Sequence, residues 1–108
     1  MSEHFYHPDD MKRLRKLRDL KPDLFKSFVE FDTKVFEDGA LPTKTKELIA
    51  VATAHITQCP YCIDGHTKRA KKAGATDAEV AETIFVAMAL RAGGSWAHSA
   101  IAMKALGE

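Results

Sequence analysis

The chain has 108 residues, which is room for one domain of common size spanning 1–108. Sixteen Lys and Arg stand against fifteen Asp and Glu, so no basic field marks nucleic acid as a partner. No apolar run approaches the ~20 residues of a membrane span, and the start from Met1 to Asp10 lacks the charged-then-apolar layout of a secretory signal, so a cytoplasmic protein away from membranes is expected.

In chain order the pattern is helical. A first helix is predicted over ~9–19, with Met11, Leu14 and Leu17 on one side and a solvated basic face of Lys12, Arg13, Arg15, Lys16 and Arg18 elsewhere. Pro22 suits the first turn of a second helix, ~22–36. Its stripe of Leu24, Phe25, Phe28, Val29, Phe31, Val35 and Phe36 is expected to pack as core. Asp38-Gly39 should end it, with Gly39 in the left-handed cap.

Leu41-Pro42-Thr43 starts a third helix, ~43–58. Its centre, Glu47 to Ile56, is apolar nearly all round, which predicts burial and, in so short a chain, a partner subunit over one side. A fourth helix, ~62–72, stops at Gly74, with Lys68, Arg69, Lys71 and Lys72 suited to its C-terminal dipole. Thr76 and Glu79 form a capping box for a fifth helix carrying Val80, Ile84, Phe85, Met88 and Leu90. Gly93-Gly94 should break it, and Ser95 should cap a last helix bearing Trp96, Ile101, Met103 and Leu106. Strand alternation with hairpin turns is absent. The expectation is an all-α, compact domain of about six helices around a central helical hairpin.

The chemistry concentrates in Cys59-Pro60-Tyr61-Cys62, which holds both cysteines of the chain, with His66 four residues on. A pair at this spacing can close a disulfide within one turn, and at a helix N-terminus it gains thiolate character. If Cys62 is already helical, His66 lies on its face one turn below. Three chemistries fit. Thiol redox catalysis is favoured. A zinc site of Cys59, Cys62 and His66 with Glu47 as fourth ligand is the second, although no other Cys or His pair completes the common two-pair design. A glutaredoxin is the third, but it needs a strand before the tetrapeptide, where Ala52 to Gln58 continue a helical pattern.

Glu47 is an acid at the mouth of an otherwise apolar helix, costly to bury unless paired. It either complements the helix dipole or orients a histidine. If helices three and four turn back near 58–60, Glu47 comes alongside His66 to Ala70. His55 reads as a hydrogen-bonded core histidine, His98 as a lesser pocket candidate, and His4 and His7 as part of a mobile start.

Glu47, the Cys59-x-x-Cys62 pair twelve residues later and then His66 resemble the alkylhydroperoxidase D-like branch of the carboxymuconolactone decarboxylase family. The flanks Phe36 to Pro42, Lys46 to Ala50 and Gly74 to Val80 match too, and the likeness runs from about Asp23 to Leu106. It implies an all-helical fold assembling as trimers or hexamers, and a peroxidase that needs no cofactor and no metal. By resemblance, Cys62 attacks the peroxide, Cys59 resolves, Glu47 and His66 relay protons, and an external dithiol reduces the disulfide. One position departs from the branch, which places a second histidine where this chain has Tyr61. Tyr61 can donate a hydrogen bond in the pocket, but a phenol with an ordinary pKa near ~10 is a poor base at neutral pH. The rival readings are a general dithiol–disulfide oxidoreductase and a redox-sensing module without turnover.

Overall fold

A computed structural model describes residues 8–107; His4 and His7 lie outside the described residues. The chain divides into two compact units, the first running to Asp38 and the second starting at Gly39.

In the first unit a 3-10 turn, Pro8–Asp10, leads into α1, Met11–Leu20, and Asp10 pairs with Arg13 one turn on. Lys21 leaves helical geometry, as a residue before proline tends to, and Pro22 then opens α2, Pro22–Val35. Neither helix contains a buried residue. Leu17, Lys21, Leu24, Phe25 and Phe28 line an apolar hollow of ≈ 440 Å³. The expectation that the aromatic stripe of α2 forms core is therefore not met: Phe28 is 59% exposed and Phe31 68%. Two short helices alone supply no further layer to bury such a stripe. The predicted left-handed cap at Gly39 is also absent. The helix ends at Phe36, near φ −90°, and Gly39 is not among the positive-φ glycines.

The second unit consists of α3, Thr43–Thr57, α4, Pro60–Lys72, and α5, Asp77–Ala105. Among the described residues there is no strand, so the all-helical expectation holds and the glutaredoxin reading falls. α3 and α4 form a hairpin joined by only Gln58 and Cys59, and α5 packs against both. The core is small: Val51 of α3, Ala70 of α4 and Ala75 are buried, with Leu48, Val80 and Ile84 packed around them. Small side chains at 70 and 75 let the helices approach closely. α3 buries a stripe of Glu47, Val51 and Ala54 rather than its whole surface, and leaves Ile49 51% exposed.

Two stops and starts follow local rules. Gly74 takes φ +101° just beyond the α4 cap at Ala73, a conformation that suits glycine. At the head of α5 both halves of the capping box form: Glu79 N–H donates to Thr76 Oγ1 at 3.1 Å, and Thr76 N–H donates to Glu79 Oε1 at 2.8 Å. Lys44 of α3 also pairs with Glu79, at 2.8 Å, and Lys71 of α4 pairs with Asp77. The hydrogen bond from Lys71 holds the Asp77 carboxyl below its ordinary value, and Lys44, then the Thr76 backbone, do the same for Glu79. Lowered carboxyls add stability that is complete above their unfolded values and is lost as pH falls through the folded ones. Acid should therefore loosen the head of α5 first, and Lys44→Met should flatten the pH dependence of a denaturant melt below pH ~4.5. Thr76→Ala should cost about 1 kcal/mol in the same melt at neutral pH.

The expected break at Gly93-Gly94, and with it the sixth helix capped by Ser95, does not occur. α5 runs 29 residues without interruption, so the described residues form five α-helices. A helical glycine costs roughly 1 kcal/mol relative to alanine, which is a penalty and not a stop, and the turns on either side are rich in Ala, Leu and Met. Neither glycine adopts a positive φ.

Candidate functional site

The tight reversal at Gln58 sets the site. Gln58 ends α3 in the left-handed region, φ 58° and ψ 50°, and the Cys59 N–H bonds back to the Ala54 carbonyl at 3.1 Å. Arg91 of α5 donates to the Ile56 carbonyl at 3.2 Å and ties down the same helix end. The next residue, Cys59, is then the N-cap of α4, with Pro60 in its first turn. Helix α4 starts two residues before the sequence expectation, so Cys62 is already helical and His66 lies one turn further along the same face.

Cys59 and Cys62 are disulfide-bonded, with their Cα atoms 5.2 Å apart. The Cys62 N–H donates to Cys59 Sγ at 3.2 Å, so the sulfur takes the capping role that a Ser or Asp oxygen usually fills. Of the two sulfurs, Cys59 is the one that receives a free N–H of the helix start, while Cys62 is the one with a histidine below it. Tyr61 sits between them, half-buried, in the first turn.

Glu47 is the buried charged residue of the unit, only 4% exposed. Its Oε1 lies 2.6 Å from His66 Nδ1, which bridges α3 and α4 across nineteen residues of sequence. The hairpin geometry foreseen for Glu47 is thus present. A carboxylate on Nδ1 orients the ring and directs Nε2 chemistry away from α3. Arg69 Nη1 also approaches His66 Nδ1, at 3.2 Å. In the sequence Arg69 reads as one of the α4 dipole cluster. Its i+3 spacing from His66 was the available signal for a role at the ring; nothing in the sequence pointed to Arg91.

The two other described histidines, His55 and His98, bond within their own helices. His55 Nδ1 donates to the Val51 carbonyl of its own helix at 2.7 Å. His98 Nδ1 donates to Gly94 at 2.8 Å and lines a polar hollow with Leu90, Arg91, Gly94 and Ser95 on α5. Among the described residues no three His, Cys, Asp or Glu side chains are placed to hold a metal ion.

A disulfide-bonded Cys-x-x-Cys pair at the head of the second helix of a hairpin, backed by a buried carboxylate–histidine pair, marks a class of small helical proteins. Within that class this chain belongs to the carboxymuconolactone decarboxylase family, whose family model matches residues 22–105. It is 50% identical over 82 residues to "Uncharacterized protein 4 in cox locus" of Paracoccus denitrificans, covering 76% of this chain and 74% of that one. Its fold is similar to that of a carboxymuconolactone decarboxylase family protein from Legionella pneumophila solved in its apo form, with TM-score 0.72 and 39% identity over 90% of this chain and 87% of that one. A Methanobacterium thermoautotrophicum protein matches at TM-score 0.74 and 32% identity, covering 79% of this chain and 96% of its own.

Proposed function

We propose that the protein is a thiol-dependent peroxidase of the alkylhydroperoxidase D-like branch, working through Cys59, Cys62, His66 and Glu47. The observation that carries this is the 2.6 Å contact between buried Glu47 and His66, one helical turn below Cys62. His66, oriented by Glu47, takes the Cys62 proton. The Cys62 thiolate attacks the terminal oxygen of the hydroperoxide, the O–O bond breaks, and the alkoxide leaves with the proton that His66 returns. Cys62 is then a sulfenic acid. The Cys59 thiol attacks its sulfur, water leaves, and the disulfide seen in the structure forms. An external dithiol restores the two thiols and is itself oxidised to a disulfide. Steady consumption of tert-butyl hydroperoxide with dithiothreitol as donor, absent in Cys62→Ser, is the test. A wild-type rate equal to that blank would end this reading.

One observation favours a second reading, a general dithiol–disulfide oxidoreductase. Cys59 Sγ sits at the N-cap and accepts the Cys62 N–H, an arrangement that stabilises thiolate on the first cysteine. In that chemistry Cys59 attacks a partner disulfide and Cys62 resolves the mixed disulfide. Turnover of a disulfide substrate without peroxide consumption selects it.

We also propose that the protein works as a homo-oligomer, with trimer or hexamer suggested by the family resemblance, in the cytoplasm. The support is exposed apolar surface in the second unit: Trp96 is 80% exposed, Phe85, Leu90 and Ile101 are exposed along the same helix, and Leu106 is exposed at its C-cap. Monomers seldom expose this much large apolar side chain on one element. No described helix is long and apolar enough to cross a membrane. Light scattering at micromolar concentration should give a mass several times 12.0 kDa, and Trp96→Asp should lower it. A monomer mass for the wild type excludes the assembly.

A further inference from the structure

His66 Nδ1 is approached by two groups of opposite sign. Glu47 Oε1 lies 2.6 Å away and Arg69 Nη1 lies 3.2 Å away. A carboxylate only accepts and a guanidinium only donates, so one ring nitrogen cannot serve both as a full hydrogen-bond partner. The shorter contact takes the proton: Nδ1–H donates to Glu47. The Arg69 contact is then one of charge. The two distances place the guanidinium nitrogen within about 6 Å of the carboxylate oxygen, inside the range where an opposite charge governs ionisation. The Arg69 side chain reaches this place by folding back along α4. A Cβ built on Gly65 would meet Arg69 Nη2 at 3.7 Å and Cζ at 4.0 Å, so the guanidinium lies along the bare backbone of Gly65.

Charge balance gives the contact a purpose. Glu47 is 4% exposed, and a buried carboxylate needs a positive neighbour. If His66 alone supplied that charge, it would be held as imidazolium and could not accept a proton from Cys62. Of the charged groups on the neighbouring elements, Glu47 comes from α3, while of the α5 acids Asp77 and Glu79 are paired with Lys71 and Lys44 and Glu82 is exposed. Cys62 and Arg69 are on His66's own helix. We infer that Arg69 is a positioning residue whose permanent charge neutralises buried Glu47 and leaves His66 a neutral base with its proton on Nδ1. The ionisation part stands on geometry alone; its consequence for rate rests on the proton-relay reading above.

The test follows the His66 ring by nitrogen-15 NMR across pH, with the full-length reduced protein. In the wild type near pH 7 the ring should be neutral with the proton on Nδ1. In Arg69→Gln the pH midpoint of the ring should move up by about one unit, because imidazolium must now neutralise Glu47. Arg69→Lys should restore most of the wild-type midpoint, which a merely structural role would not require. An unchanged midpoint in Arg69→Gln, or a wild-type neutral ring with its proton on Nε2, overturns the inference. Peroxide rates on the same samples separate the two proposals. A raised midpoint with a rate at pH 7 that falls in step with the neutral fraction of the ring, by about two- to fivefold, supports both. A raised midpoint with an unchanged rate supports the role of Arg69 and removes His66 from the relay.

Discussion

Cys62→Ser should neither react with peroxide nor turn over, whereas Cys59→Ser should react once and stop. The α4 register sets this order. Cys62 is inside the helix with His66 at i+4, and Cys59 is the N-cap just ahead of it. Without Cys59 no thiol is left in the chain to condense with the Cys62 sulfenic acid, so that acid should accumulate and be trapped by a dimedone probe. The N-cap hydrogen bond on Cys59 Sγ acts in the opposite half of the cycle. It favours Cys59 as the departing thiolate when a donor thiolate attacks Cys62 and opens the disulfide. Peptide mapping of the dimedone adduct checks the assignment. An adduct on Cys59, or full single-turnover reactivity in Cys62→Ser, would reverse the two roles and select the oxidoreductase reading.

The second large effect is expected at the buried pair. His66→Ala should slow the single-turnover attack by ~10²-fold or more, the usual scale for a positioned acid–base group. Glu47→Gln should slow it less, because the amide can still meet the ring while the orienting charge is gone. Stopped-flow measurement with Cys59→Ser as background isolates this step from disulfide formation. A His66→Ala rate within a factor of about three of the background would mean that the helix start alone activates Cys62 and the relay does not operate.

Much of this site was legible before any fold was known. Both cysteines fall in one tetrapeptide, and the helical period alone puts His66 on the face of Cys62. The capping box at Thr76 and Glu79 and the stop at Gly74 are local rules, and the structure obeys them. The contact between Glu47 and His66 came from folding one hairpin near 58–60. Gly93-Gly94 resembles a helix break because each glycine carries a local penalty, but two glycines within 29 helical residues are outweighed by the helix formers around them. The aromatic stripe of α2 departs from expectation for a different reason. Periodicity shows that a face is apolar, but not what covers it, and Phe28 and Phe31 stay exposed in the single chain.

By itself, the sequence determined the features that neighbours along the chain can set: an all-helical fold, its main boundaries and a dithiol with a histidine one turn below. The tertiary structure decided those that depend on neighbours across space. It buried Glu47 against His66, brought Arg91 of α5 to the end of α3, and laid the Arg69 guanidinium beside the same ring. The reason is range. Propensity, capping and period act over a few residues, whereas the ionisation of a buried pair is set by every charge within several ångströms, whatever its place in the sequence.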